Sequence, residues 1–370
     1  MLQPLYAARV LKNRSAAYLH YLLGRGRSSY PEAVTLFLTH RCNLHCKMCG
    51  QWGEGGVTKK QSAEYVKGEI PLQELVSFVD DVAAARPNIT LFGGEPLLYA
   101  GCLALIKHIK RKGMHCLVIT NGSLLENTAK DIVESGLDEL NVSLDGGRAL
   151  HDDIRGMPGL FDRIMSGLKK VRDVKIAARR KKPLVNLQCT ITKYNYERLD
   201  EMLDVAREAG ADSLTFHNLI FTSRDVLDKQ KPYDELLGCS SGDWEGFIFE
   251  PGIDPEALHA KMKDILSGKY KFSVDLYPNF SRKAMAEYYR NPCYMPTEYP
   301  ARCLSPWIVA YIFPDGEVRP CLNSTYSFGN VRSGKFSDIW NGEKAVRFRQ
   351  ALKEKGLFPA CARCTELYRY

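Results

Sequence analysis

Three cysteines stand close together near the start of the sequence. Cys42, Cys46 and Cys49 lie in the segment LTHRCNLHCKMCGQWGE, in the spacing C-x3-C-x2-C. A structural zinc site closes with four ligands, whereas three thiolates can hold three irons of a [4Fe-4S] cluster. The fourth iron of such a cluster stays open. The spacing therefore favours a cluster with one iron free to bind a cofactor or substrate through oxygen or nitrogen.

A second group of cysteines lies in the last part of the chain. Cys303 and Cys321 bracket two predicted short strands around the turn sequence PDG, and Cys361 and Cys364 follow the predicted helix FSDIWNGEKAVRFRQALKEKG. Four thiols can close around one zinc ion or one [4Fe-4S] cluster, and the spacing alone leaves both open. Because such a site is closed, it favours electron transfer or a structural role over substrate binding.

Strands and helices alternate along the part of the chain that carries the first three cysteines. Helical patterns, with apolar residues three and four apart, separate the predicted strands. Alternation of this kind implies a parallel sheet, either open or partly closed as a barrel. The predicted strands are 34–39, 89–92, 116–120, 140–144, 184–192 and 213–218.

Polar and glycine motifs follow successive strands, at the edge where parallel sheets place their chemistry. Strand one runs into the three cysteines, and later strands run into GGEP, TNG, SLDG and TITKYN. The residues that these motifs offer to a ligand are Gly93, Gly94, Glu95, Asn121, Ser143, Asp145 and Asn195.

Each residue type suits a different part of a ligand. Gly93 and Gly94 permit close approach of the backbone, and Glu95 offers a carboxylate to an ammonium group. Ser143 and Asp145 can hydrogen-bond sugar hydroxyls.

Arg155 follows these motifs in the sequence HDDIRGMPG. Its forked guanidinium could pair with a ligand carboxylate, and an ion pair with Asp152 or Asp153 is the alternative.

These motifs together resemble the radical S-adenosylmethionine (SAM) superfamily. CNLHCKMC resembles its cluster motif, GGEP its element for the SAM amino group, and SLDG its ribose-contacting strand end. The resemblance implies a partial (β/α)6 barrel and an α/β fold. It also implies that one electron from the reduced cluster cleaves SAM to methionine and a 5'-deoxyadenosyl radical, which abstracts hydrogen from a substrate. Met48 departs from the pattern, since the family usually has an aromatic residue there beside the adenine.

The C-terminal cysteine pattern, C-x12-G-x4-C followed by C-x2-C, resembles the SPASM extension of radical SAM enzymes. That extension usually continues with further cysteines, but Tyr370 ends the sequence six residues after Cys364. The segment therefore resembles the shortened "twitch" form. This resemblance implies one auxiliary [4Fe-4S] cluster on the four thiols and favours it over zinc.

Composition limits the class of protein. The chain has 370 residues, of which 45% are hydrophobic and 25% charged, so a sizeable core is expected. It lacks an uninterrupted apolar stretch of about 18 residues and a signal peptide, so we expect a cytoplasmic protein. Twelve cysteines in such a protein indicate metal or redox chemistry rather than disulfides.

The net charge of +8 is unevenly spread. Residues 1–31 contain five Lys and Arg residues among Leu, Val and Tyr, with no acidic residue. Such a basic amphipathic helix suits peripheral contact with an anionic membrane, and packing on its own domain is the alternative. A second basic run, KIAARRKKP, lacks interleaved aromatics, so we expect no nucleic-acid partner.

The sequence predicts four parts and leaves the substrate open. The parts are an N-terminal segment at 1–33, the radical SAM partial barrel at 34–220, a bridging region at 221–300 and the auxiliary cluster domain at 301–370. The favoured substrate is a small or lipid-linked molecule, with the auxiliary cluster as an electron acceptor and a flavodoxin or ferredoxin as electron donor. The alternatives are a maturase of a ribosomally made peptide and a non-catalytic iron-sulfur or zinc scaffold.

Overall fold

The structure, a computed structural model, describes residues 4–370, with side chains from residue 8 onward. Residues 1–3 of the predicted N-terminal segment lie outside the described residues. The strands are β1 (Ala33–Phe37), β2 (Asn88–Phe92), β3 (Cys116–Thr120), β4 (Glu139–Ser143), β5 (Leu184–Thr190), β6 (Ser213–His217), β7 (Ser273–Tyr277), β8 (Val309–Ile312), β9 (Glu317–Arg319) and β10 (Gly329–Asn330).

Helices connect and cover these strands. The α-helices are α1 (Pro4–Leu23), α2 (Ala63–Lys67), α3 (Leu72–Val82), α4 (Cys102–Arg111), α5 (Leu125–Glu134), α6 (Arg148–Arg155), α7 (Leu160–Ala177), α8 (Glu201–Ala209), α9 (Arg224–Leu237), α10 (Pro255–Ser267), α11 (Arg282–Arg290), α12 (Ser305–Ile308), α13 (Phe336–Trp340) and α14 (Glu343–Lys355). Short 3-10 helices lie at Thr58–Lys60, Pro96–Leu98, Gly242–Phe247, Pro359–Cys361 and Thr365–Tyr368.

All ten strands of the described chain join one sheet, in the order β10-β9-β8-β1-β2-β3-β4-β5-β6-β7. Every neighbouring pair from β8 through β1 to β7 is parallel, and only the pairs β8–β9 and β9–β10 are antiparallel. The prediction of an α/β fold with a largely parallel sheet is confirmed, and the six predicted strands form within two residues of their expected bounds.

Apolar side chains recur at every second residue in the strands and at every third or fourth residue in the helices, so each element has an apolar face that can be buried against the sheet. In β1, Val34 and Leu36 are buried on one face. In α3, Leu75, Phe78 and Val82 are buried at spacings of three and four residues. Each such side chain contributes about 1.5–3 kcal/mol when it leaves water. Parallel strands with helical crossovers bring all strand carboxyl ends to one edge, which positions the site described below.

Four strands, β7 to β10, extend the sheet beyond the six predicted for the alternating part of the chain. β7 pairs in parallel with β6, and β8 pairs in parallel with β1, with Val34 opposite Ala310. The predicted strands around the PDG turn are confirmed as β8 and β9, which pair antiparallel. Through β8, the segment that carries Cys303 and Cys321 is built onto the same sheet as the first three cysteines.

The prediction of one helix over 336–356 was wrong. The chain forms α13 and α14, with a break at Asn341 and Gly342. The Asn341 side chain accepts a hydrogen bond from Ser28 N at 2.8 Å and donates to Ser28 O at 2.9 Å. These bonds hold the break against the chain that follows α1, because Asn side chains compete with helical backbone bonds.

Helix α1 packs against the C-terminal part of the molecule. Ala17 is buried, and the Tyr21 ring meets the Trp307 ring edge-on with 5.1 Å between centroids. Within residues 4–370, α1 and the other helices are all too short or too polar to cross a bilayer.

Candidate active site

A cavity of about 390 Å³ opens at the carboxyl ends of the parallel strands. The three clustered cysteines line it from the loop after β1, and later strands contribute polar residues and glycines. The lining residues that the sequence analysis singled out are Cys42, Cys46, Cys49, Gly93, Gly94, Asn121, Ser143 and Arg155. Residues from three loops, from the end of β4 and from the end of α6 therefore meet at one cavity.

The loop after β1 is held by a hydrogen bond to α6 and by hydrogen bonds within the loop itself. Lys47 N donates to Ile154 O at 2.9 Å, and Cys49 N donates to Cys46 O at 3.0 Å. The Trp52 backbone N–H donates to the sulfur of Cys49 at 3.4 Å. Burial raises the pKa of the Cys42 thiol to about 12, and nearby Cys46 and Cys49 add to the rise. The three thiols thus lie close enough to interact electrostatically.

Gly93 and Gly94 lie where two backbones cross. A Cβ on Gly94 would overlap the Arg41 carbonyl oxygen, and one on Gly93 would come within 2.6 Å of Thr39 O. Gly94 N also donates to Thr39 O at 2.8 Å. These glycines therefore allow their backbone to lie against the chain that leads into the cysteine loop. Both glycines also line the cavity.

Glu95 lies behind the cavity wall with no exposed surface. Its carboxylate accepts hydrogen bonds from Thr120 Oγ1 at 2.8 Å, from Asn121 N at 2.8 Å and from Leu97 N at 3.0 Å. Burial raises its pKa to about 7, against these three bonds, which favour the charged form. In this geometry Glu95 ties the end of β3 to the loop after β2.

Asp145 is also fully buried and does not line the cavity. It accepts from Arg155 Nε at 2.6 Å and from Thr190 N at 2.9 Å. Arg155 lines the cavity and also places Nη1 3.7 Å from the Cys46 sulfur. Burial works against the charge of Arg155, but the neighbouring Asp145 carboxylate and Cys46 together raise its pKa, so the guanidinium stays charged.

The alternative partners that the sequence offered to Arg155 are engaged elsewhere. Asp152 accepts from the backbone N–H groups of Gly159 and Phe161, at 2.6 and 2.8 Å. Asp153 pairs with Lys47 at 2.8 Å.

The two asparagines of the predicted set have different positions. Asn121 lines the cavity, and its side-chain nitrogen lies 3.9 Å from the Cys42 sulfur and 2.9 Å from Asn43 Oδ1. Asn195 is buried behind the wall, where it donates to the backbone oxygens of Asp145 and Thr190 at 2.8 and 2.9 Å. Asn195 therefore joins the ends of β4 and β5 rather than facing the cavity.

The C-terminal cysteines also come together. The pKa of the Cys321 thiol is raised to about 11 and that of Cys364 to about 12, chiefly by burial. Cys303 and Cys361 lie beside them and are likewise partly buried, and the four thiols lie within electrostatic range of one another. Backbone N–H groups of Asn323, Glu366 and Leu367 donate to these sulfurs.

In the described part of the chain, no three His, Cys, Asp or Glu side chains stand close enough to hold a single metal ion. A cluster has a different requirement, because each thiolate binds its own iron.

Models of known families match both cysteine regions. Residues 36–206 match the radical SAM superfamily, and residues 303–365 match the SPASM iron-sulfur cluster-binding domain. The chain is a radical SAM enzyme with a SPASM domain. Membership implies SAM and iron-sulfur clusters as its cofactors.

Curated relatives align with this radical SAM protein along most of its length. It is 27% identical to the AdoMet-dependent heme synthase of Methanosarcina barkeri, over 90% of this chain and 88% of that protein. It is 28% identical to the Fe-coproporphyrin III synthase of the same organism, over 88% and 79%. It is 26% identical to the tungsten-containing aldehyde ferredoxin oxidoreductase cofactor-modifying protein of Pyrococcus furiosus, over 89% and 86%.

Solved structures share the radical SAM fold. SuiB of Streptococcus suis has a TM-score of 0.64 at 15% identity, with 92% of this chain and 72% of SuiB covered. The anSMEcpe structure with bound AdoMet has a TM-score of 0.57 at 16% identity, over 85% and 82%. At sequence identities this low, the similarity shows a shared fold only.

Several lining residues of the radical SAM cavity were not predicted from the sequence. Trp52, Phe247, His217 and Asn218 all line it, and Thr365 reaches it from the SPASM segment. His217 ends β6 and Asn218 follows it, so their position at a strand carboxyl end was a usable signal. Phe247 lies in the segment DWEGFIFEPG, which the sequence indicates as a substrate-facing loop without specific chemistry. Thr365 carried no signal, because its segment is far away in sequence.

Phe247 is held over the cavity by a contact between two glycines. A Cβ on Gly246 would overlap the Gly50 carbonyl oxygen, and a Cβ on Gly50 would come within 2.5 Å of the Phe247 ring. The segment around Phe247 thus rests directly on the end of the cysteine loop.

A second cavity, also of about 390 Å³, adjoins the first at the cysteine loop. Met48, Cys49 and Leu219 line both cavities. The second cavity mixes charged, aromatic and apolar side chains, which are Lys47, Glu54, Lys193, Tyr194, Ile248, Phe249 and Glu250.

Proposed function

We propose that the chain reductively cleaves SAM at a [4Fe-4S] cluster held by Cys42, Cys46 and Cys49, and abstracts hydrogen from a small or lipid-linked molecule. The observation that carries the proposal is the cavity that joins these three cysteines to Gly93, Ser143 and other strand-end residues. The donor set fits the cluster, because three thiols in one loop leave one iron for SAM. When bound, the cluster and SAM supply one-electron cleavage of a carbon-sulfur bond and thus a radical able to abstract hydrogen.

The residues around the cavity have distinct roles in this proposal. Arg155 offers its guanidinium to the SAM carboxylate, because Nε is held by Asp145 and the rest of the fork faces the cavity. Ser143 and the backbone at Gly93 and Gly94 contact the remaining polar groups of SAM. Glu95, Asp145 and Asn195 position these residues from behind the wall.

Aromatic surface for the adenine comes from Trp52 and Phe247 in this proposal. Both rings line the cavity, and Met48 occupies the position where the family usually carries an aromatic residue. Trp52 is fixed by a hydrogen bond from Nε1 to His40 O at 2.8 Å. Together these side chains exclude water from the reacting groups.

The second cavity is the proposed substrate site. It adjoins the SAM cavity through Met48 and Cys49, and its volume of about 390 Å³ suits a small molecule. Lys47, Lys193 and Glu250 supply charges of both signs, while Tyr194 and Phe249 supply apolar surface. The relatives named for heme and coproporphyrin synthesis favour a small molecule as well.

A peptide substrate is the alternative, since SuiB also occurs in complex with its precursor peptide SuiA. That likeness is one of fold at 16% identity, so the size of the second cavity decides our preference.

The auxiliary site completes the proposal. We assign Cys303, Cys321, Cys361 and Cys364 as the ligands of an auxiliary [4Fe-4S] cluster, which when bound would supply an electron acceptor. Four protein thiols leave that cluster no open iron, so substrate binding falls to the second cavity. A flavodoxin or ferredoxin is the proposed electron donor to the first cluster.

A dithionite-driven assay for 5'-deoxyadenosine tests the function. The anaerobically reconstituted protein is expected to form it, and the variant with Cys42, Cys46 and Cys49 all changed to Ala is not. Size fractions of a cell extract from the native host then test the substrate class. Stimulation by the small-molecule or lipid fraction supports the proposal, whereas stimulation by the peptide fraction alone favours the maturase.

A further inference from the structure

Helix α1 carries apolar residues on two opposite faces, and only one of them is packed. The packed face places Ala17 in the core and the Tyr21 ring against Trp307. The other face, here called the leucine face, is in solvent. It consists of Leu11 (67% exposed), Tyr18 (37%), Leu19 (55%), Leu22 (45%) and Leu23 (77%).

Four of these residues form one contiguous patch on the last turns of α1. Tyr18 and Leu22 are four residues apart, and Leu19 and Leu23 form the adjacent row. Leu11 lies on the same side of the helix but is separated from the patch by the exposed Ser15. Single exposed leucines are common on protein surfaces, but contiguous apolar patches indicate an interaction site. Since the opposite face already holds α1 on the protein, the leucine face is left for a partner.

Basic residues surround the leucine face. Lys12 is exposed on α1 itself, and Arg25 and Arg27 are exposed just after its end. Lys353 of α14 donates to the Leu22 carbonyl oxygen at 2.8 Å, so the lysine-bearing end of α14 lies beside the end of α1.

Few acidic groups offset this charge. Residues 1–31 contain no Asp or Glu. The nearby Glu32 is buried and forms an ion pair with Arg14. Glu354 forms an ion pair with Lys355, with 3.3 Å between Oε1 and Nζ. The surface around the leucine face is therefore positive.

We propose that the leucine face docks the enzyme on an anionic lipid bilayer. A helix that places leucines in the headgroup region and lysine or arginine beside them binds such membranes in the plane of the interface. Anionic lipid complements the basic residues around the face. A second copy of the chain is disfavoured as the partner, because two leucine faces in contact would bring the same positive charges together.

Cosedimentation of the full chain with vesicles tests this proposal. The vesicles contain equal parts of phosphatidylcholine and phosphatidylglycerol, and vesicles of phosphatidylcholine alone are the comparison. The wild-type chain is expected to bind the anionic vesicles, less so at high salt. The variant L11Q/L19Q/L22Q is expected to bind tenfold or more weakly, because it removes apolar surface from the interface.

The matched control is I176Q/L236Q, which changes two exposed apolar residues of α7 and α9. It is expected to bind as the wild type does. A second variant, K12Q/R25Q, removes two exposed positive charges and is expected to weaken binding to anionic vesicles. It tests the proposal independently if the triple variant misfolds.

Three results would overturn the proposal. The first is a wild-type chain that stays in the supernatant with anionic vesicles. The second is a folded triple variant that binds as well as the wild type. The third is a concentration-dependent dimer in sedimentation that the triple variant abolishes, which would assign the leucine face to a second copy. None of these results depends on SAM cleavage, so they leave the proposed function untouched.

Discussion

Nη1 of Arg155 lies 3.7 Å from the sulfur of Cys46, and the same guanidinium donates from Nε to Asp145 at 2.6 Å. One side chain therefore links the end of β4 to the cysteine loop after β1. Both members of the ion pair are buried, so the charge of each depends on the other.

We predict that Arg155→Gln destabilises the protein by about 3–5 kcal/mol, because it leaves the buried Asp145 carboxylate without its cation. Urea unfolding measures the change. The matched control is Arg148→Gln, which breaks an exposed pair with Asp162 and is expected to cost less than about 1 kcal/mol. Equal effects of the two substitutions would contradict the buried role of Arg155.

We predict that Gly94→Ala lowers SAM cleavage and the unfolding temperature, since its methyl group would overlap the Arg41 carbonyl and push the cysteine loop out of place. Gly55→Ala is the control, because an added Cβ there meets nothing within 4 Å. Formation of 5'-deoxyadenosine and thermal unfolding of both variants check the prediction. A Gly94→Ala protein that matches the wild type in both would show that the close approach is dispensable.

A pH effect follows from His151, which is buried and accepts a hydrogen bond from Asp145 N at 3.2 Å. Burial, with the Arg155 charge adding to it, lowers the pKa of His151 to about 4 in the folded protein. The unfolded chain takes up a proton near pH 6.5, so stability is retained above that pH and is lost as pH falls toward 4.

We predict that His151→Gln reduces the loss of stability between pH 7 and pH 5 by about 2 kcal/mol. Denaturant unfolding at the two pH values measures the difference. His40 and His217 also have lowered pKa values and remain in the variant, so part of the pH dependence persists. An unchanged pH dependence would mean that His151 is not neutral and buried in the folded state.

The auxiliary site gives a further prediction. The variant with Cys361 and Cys364 changed to Ala is expected to lose about four irons while it still forms 5'-deoxyadenosine, because the first three cysteines are untouched. Product formation from substrate is expected to fall, since the proposed electron acceptor is gone. A variant with unchanged iron content would contradict the assignment of these thiols.

The sequence was sufficient for much of the fold because the strands and helices carry strong local patterns. Val34 and Leu36 of β1 and the apolar stripe of α3 needed no distant information. The joining of β8 to β1 could not be predicted, because it depends on a pairing of segments that lie far apart in the sequence, such as Val34 with Ala310. The break at Asn341 depends likewise on Ser28, more than 300 residues away.

The candidate site was predictable in position more than in orientation. Motif spacing places Glu95, Asp145 and Asn195 at the correct strand ends, but their side chains point behind the cavity wall. Which way a strand-end side chain points depends on partners such as Thr120 and Arg155, which only the folded chain brings near. Phe247 reaches the cavity through a glycine contact that no local pattern signals.

The most direct test of the account is iron, sulfide and zinc content per chain after anaerobic reconstitution, with 5'-deoxyadenosine formation measured on the same sample. We predict about eight irons and eight sulfides, no zinc, and SAM cleavage on reduction with dithionite. About four irons and one zinc with SAM cleavage would remove the auxiliary cluster from the account. A fully loaded protein that fails to cleave SAM would contradict its central claim.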